Sequence, residues 1–214
     1  MSELDLDRRT GWPADLRLFV ERYPRAVWPG HANLGQTARF WLERHDMFRD
    51  LGGALKSATG EFRDGALPLP EFRRWFTPRL QFFLSQLEVH HQVEDLSYFP
   101  LFRAAEPRLV RGFEVLEHDH GILHERIARL ADAANAFLEA SEPDAMRACA
   151  DRHGLVTDEL LSGLVRHLAD EEDLIIPLIL DRGERARDGL GAVGDRRAGV
   201  LSSCDARGGP PTLT

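Results

Sequence analysis

The chain has 214 residues, 43% of them apolar and 29% charged, with a formal net charge of -8. That balance belongs to a soluble globular protein, and with no long basic cluster it argues against a nucleic-acid partner. No run approaches the roughly 20 uncharged apolar residues of a membrane span, and the opening MSELDLDRRTGWP lacks the apolar stretch of a secretory signal, so a cytoplasmic protein without membrane attachment is expected.

Residues 1–30 read as a lead-in. Pro13 is placed to start a short helix through Leu16, Phe19 and Val20, closed by Pro24, and Trp28-Pro29-Gly30 then breaks the chain. The first long periodic segment runs from about Leu34 to Lys56, with Leu34, Ala38, Trp41, Leu42, His45, Phe48 and Leu55 at helical spacing. Gly60 and the stretch from Gly65 to Pro70 separate it from a second segment, which carries Phe83, Leu87, His90, Glu94 and Leu101 on one face. Pro100 and Pro107 punctuate the end of that segment. The third segment runs from about Arg108 to Ala140, with Phe113, Leu116, His120, Leu123 and Ile127 inward. The fourth opens at Ser141-Glu142-Pro143-Asp144 and runs to about Leu180, with Leu160, Leu164, His167, Glu171, Leu174 and Leu178 on one stripe. Strand signals are scarce, so the expected fold is all-α: an antiparallel up-down four-helix bundle over residues 31–182. Residues 183–214 hold many glycines and few apolar anchors and read as a flexible tail. Cys149 and Cys204 make neither a disulfide framework nor a zinc knuckle and read as reduced thiols.

The second and fourth segments repeat each other. HHQVEDLSYFPLF from His90 and HLADEEDLIIPLI from His167 superpose with His90 on His167, Glu94 on Glu171 and Pro100 on Pro177. In that register His91 meets Leu168, which cannot bind a metal, so His90 and Glu94 are taken as the inward pair and His91→Ala is expected to leave a metal site intact.

Residues four apart stack on one helix face. His90/Glu94, His120/His124 and His167/Glu171 are such pairs, and His45 occupies the apolar stripe of the first segment. A single histidine on an apolar face is ordinarily a hydrogen-bonded core residue. Five histidines and two glutamates converging from four helices are different, because burying their charges without a cation would cost several kcal/mol each. With His120, His124 and His167 on one ion, His45 and His90 on the other, and Glu94, Glu171 and an oxo or hydroxo group bridging, one octahedral position stays open for a small molecule. No thiolate contributes; imidazole with bridging carboxylate suits iron, and less well manganese or zinc. Tyr98, one turn beyond Glu94, either fills the core or sits near the open position.

The ordered set of His45, H90-x-x-x-E94, H120-x-x-x-H124 and H167-x-x-x-E171 resembles the hemerythrin-like, or HHE cation-binding, family over roughly residues 31–182. The resemblance implies that these seven residues bind two non-heme irons. It also leaves Glu172 open as an alternative to Glu171, since part of that family has an acid one residue later. The implied function is binding or sensing of O2, or reaction with NO or peroxide, with peroxide decomposition the enzymatic version. The alternatives are a metal-dependent sensor or interaction module, with a protein partner or a second copy of the chain, and an iron storage or donation protein.

Overall fold

The long apolar stripes become helices, and the proline and glycine breaks between them become turns. The computed structural model describes residues 3–183. A 3-10 turn, Arg25–Gly30, precedes α1 (Gln36–Arg63) and α2 (Leu69–Val93). A π turn, Glu94–Tyr98, leads into the short α3 (Phe99–Ala105), and a 3-10 turn at Pro107–Leu109 leads into α4 (Val110–Glu139) and α5 (Pro143–Arg182). No strand occurs among the described residues. No helix among them is long and apolar enough to cross a membrane. The expected tail beyond Gly183, with Cys204, lies outside the described residues; Cys149 is a free, half-buried thiol.

Glycines end two helices where the backbone turns left-handed. Gly65 has φ +74 in the turn after α1, and Gly183 has φ +70, its N–H donating back to the Ile179 carbonyl at 3.0 Å. α5 begins at Pro143 with Asp144 in its first turn, where the missing proline N–H costs nothing and the acid meets the positive helix end.

Two expectations change. Residues 13–23 form separate turns instead of a helix, with Leu16 donating to the Pro13 carbonyl at 3.0 Å and Tyr23 to that of Phe19 at 2.8 Å. So short a stretch gains little from helix formation alone, and turns suffice to bury Leu16 and Phe19. The second segment is also not one helix. The amide of Phe99 donates to the carbonyl of Glu94, five residues back, so the π turn adds one residue to the face. Phe99 and Phe102 are therefore buried, and the expected inward position, Leu101, is only half-buried.

The chain forms two compact units. The first comprises residues 3–45, 91–119 and 166–183. Its core joins Trp12, Leu16, Phe19 and Trp28 of the lead-in to Trp41, Phe99, Phe113 and Ile176, among others. The second comprises residues 46–90 and 120–165. Its core is rich in phenylalanine: Phe72 stacks on Phe76 at 4.5 Å and lies 5.3 Å from Phe137. Both units place the apolar stripes inward.

Candidate metal centre

Helical spacing brings the donors together in pairs. On α1, Trp41 and His45 lie one turn apart and both are buried. On α5, His167 and Glu171 lie one turn apart, with His167 Nε2 3.4 Å from Glu171 Oε2. The same Oε2 is 3.6 Å from His45 Nε2. The Trp41 indole donates to the other oxygen, Glu171 Oε1, at 2.7 Å. One oxygen of Glu171 is thus held by an N–H while the other faces two imidazoles from different helices. Glu94, buried at the start of the π turn, has its carboxyl pushed well above the usual range by burial and then by the neighbouring Glu171 charge. The His91 ring packs edge-on against that of His167, 5.5 Å between centroids.

Two sets of donors are close enough to hold a cation. His91, His120 and His167 form one; His45, His90, Glu94 and Glu171 form the other. Within each, every residue offers a ligand atom within 4.8 Å of the rest. A family model, the hemerythrin HHE cation-binding domain, matches residues 36–189. The chain belongs to the hemerythrin family. Neither the curated proteins nor the solved structures compared with it give a match.

The donor set of this hemerythrin-family chain fits a cation on physical grounds. Glu94 and Glu171 repel each other in a dry interior, and a positive charge at the imidazole nitrogens facing them relieves that repulsion. Without such a charge, His167 takes up a proton. Burial pulls its pKa down, but Asp119 and Glu171 outweigh burial and hold it at about 9. Metal binding would displace that proton.

Six of the seven residues expected from the sequence fall in the two sets; His124 is half-buried and belongs to neither. The additional member is His91, which is fully buried. The repeat set His91 aside because its counterpart is Leu168. That counterpart is itself fully buried, so the position faces inward in both helices and the repeat does not discriminate. An apolar face wider than about 100° accommodates both of two adjacent residues. Tyr98 packs edge-on against Trp41, 4.9 Å between centroids, and so contributes to the core.

The outer nitrogens explain the two adjacent glutamates of α5. His45 Nδ1 lies 3.0 Å from Glu172 Oε1, and His167 Nδ1 lies 3.4 Å from Asp119 Oδ2. A carboxylate on Nδ1 favours the tautomer with the proton there, leaving Nε2 as the inward donor. Glu172 therefore stands behind His45, in neither donor set, whereas Glu171 stands in front of it. Trp41 was legible as a position on the His45 face. Asp119 sits between His118 and His120 in sequence and carried no recognisable spacing.

Proposed function

We propose that this chain is an antiparallel four-helix bundle holding two irons, and that it binds or senses O2 at a coordination position its side chains leave open. The observation that carries the reading is the convergence of His45 Nε2 and His167 Nε2 on one oxygen of Glu171, with a second buried carboxylate, Glu94, beside it. Glu171 and these two imidazoles would hold the metal, the carboxylate offsetting part of its charge. The two donor sets offer five imidazoles and two carboxylates. A nitrogen-rich set favours reversible binding, whereas the carboxylate-rich bundle sites activate O2 for oxidation. A bound iron pair would supply an exchangeable, redox-active position for a small molecule such as O2, NO or peroxide. The protein's own part is to hold the donors still and dry. Trp41 fixes Glu171, Asp119 and Glu172 fix two imidazoles, and the apolar core around them excludes water.

Metal analysis and optical spectroscopy of the aerobically purified full chain test the reading. Near two irons per chain, with near-ultraviolet charge-transfer bands and an O2-dependent spectrum that reverses under vacuum, is the expected result. Protein that takes up no iron, or iron-loaded protein indifferent to O2 and NO, would overturn it. Rapid peroxide consumption without a reversible O2 spectrum would move the assignment to an enzyme.

A further inference from the structure

We infer that the lead-in is a latch on the metal centre, in which Arg9 and Arg25 act as positioning residues for His167 and His45; the inference rests on the metal reading above. The two arginines are placed alike. Arg9 precedes Trp12 by three residues, as Arg25 precedes Trp28. Both tryptophans are buried in the core of the first unit. Each guanidinium lies over its tryptophan ring, 5.1 Å from the centroid for Arg9 and 4.9 Å for Arg25.

Each arginine then clamps the carboxylate that orients one imidazole. Arg9 Nη2 donates to Asp119 Oδ2 at 2.6 Å, and that oxygen faces His167 Nδ1. Its Nε donates to Asp170 Oδ2 at 2.7 Å and its Nη1 to the Leu4 carbonyl at 2.7 Å, so the fork is held on three sides. Arg25 Nη1 donates to Glu172 Oε2 at 2.6 Å, leaving Oε1 on His45 Nδ1. Its Nε and Nη2 are taken by Asp173 at 2.8 Å and the Ala169 carbonyl at 2.7 Å. Both chains run arginine, carboxylate, imidazole, and both start outside the residues the family model matches. A rigid, planar fork is what such geometry needs; a lysine's three donors sit on a single nitrogen and do not span partners this far apart. The alternative role is purely structural, with the arginines only neutralising buried acids. The two roles differ in whether the outer clamp controls how firmly the imidazoles hold an ion.

The test is the rate at which iron-loaded full-length protein surrenders iron to an excess of a ferrous chelator, alongside the melting temperature of the metal-free protein. The variants are Arg25→Ala, Arg25→Lys and Arg9→Lys. The control is Arg63→Ala, which removes an exposed pair with Asp151 in the second unit. Arg25→Ala should release iron on the order of 10-fold faster, more than the drop in its metal-free melting temperature relative to the control accounts for. Arg25→Lys should fall between it and the parent, and Arg9→Lys should also release faster. If Arg9→Lys does not fold, Arg25→Ala decides, since its side chain is half exposed. Release at the parental rate from folded variants overturns the latch and leaves the metal reading standing. Faster release matched by an equal loss of metal-free stability likewise overturns it in favour of the structural role. A parent protein that binds no iron overturns the metal reading and the latch together.

Discussion

Two residues test how imidazoles are used in this chain, one in each unit. His91 is buried with its ring against His167 and belongs to a donor set whose other members are His120 and His167. Removing one of three imidazoles should cost that ion much of its affinity. His91→Ala is therefore expected to lower bound iron from near two per chain toward one, read by metal analysis after gel filtration; full occupancy would remove His91 from the centre. His153 is the opposite case. Its ring lies 5.3 Å from Phe76 and 5.8 Å from Phe137, lines an apolar cavity of about 10 Å³, and makes no hydrogen bond among the described residues. Burial pushes its pKa down to about 4. The folded chain thus keeps His153 neutral while the unfolded chain takes a proton below about pH 6.5. The stability it confers is present above that pH and is lost as pH falls toward 4, a loss of roughly 2–3 kcal/mol. His153→Leu should flatten that part of the stability profile, measured by urea unfolding of metal-free protein at pH 7 and pH 4.5. An equal loss in parent and variant would show that other groups govern it. His45, His120 and His167 are buried at positions that helical spacing marked as inward. His91 was not marked so, because the sequence repeat compares identities and cannot report that Leu168 is itself buried.

At the scale of elements, α4 offers a controlled comparison between two of its glycines. A methyl group at Gly112 would meet Leu174 at 2.8 Å, with two further atoms of the same side chain within 3.5 Å, whereas one at Gly121 would meet nothing within 4 Å. Alanine favours helix over glycine by roughly 0.5–1 kcal/mol, while overpacking a core contact costs about 1–3 kcal/mol. The two substitutions should therefore have opposite signs. Gly121→Ala should raise the melting temperature, and Gly112→Ala should lower it or at best leave it unchanged. A stabilising Gly112→Ala would mean that Leu174 can move aside. The helices themselves were readable, because the apolar period of 3.6 extends over several turns in each segment. The π turn was not. Its trace in the sequence is Pro100, which has no N–H to donate and whose ring crowds the carbonyl four residues earlier. Pro177 stands at the matching place in the repeat and stays within α5, so proline alone does not specify the extra residue. The lead-in contacts were beyond reach for another reason: Arg9 meets Asp119 and Asp170 at separations of 110 and 161 residues, and no local periodicity encodes a pairing so remote.

For the whole molecule, the question is where a bound metal would spend its stabilising effect. The first unit contains His45, His91, Glu94, His167 and Glu171, together with the clamps Arg9, Asp119, Arg25 and Glu172. The second unit is held instead by stacked phenylalanines. Withdrawing the cations leaves Glu94 beside Glu171, with the raised proton affinity of the buried Glu94 carboxyl and the proton on His167 as relief. A ligand at a hundred times its dissociation constant stabilises a fold by about 2.7 kcal/mol, and a domain of this size shifts its melting temperature by about 2–4 °C per kcal/mol. Chelation should therefore lower the melting temperature by roughly 5–10 °C. The loss should also be uneven. Amide exchange should quicken first in residues 36–45, 91–98 and 166–175, which carry five of the seven donors, while the phenylalanine-lined part of α2 around Phe72–Leu80 keeps its protection. Exchange that quickens equally in both units would mean that the metal stabilises the chain as one cooperative body, and no change on chelation would mean that the helices hold the donors in place without it.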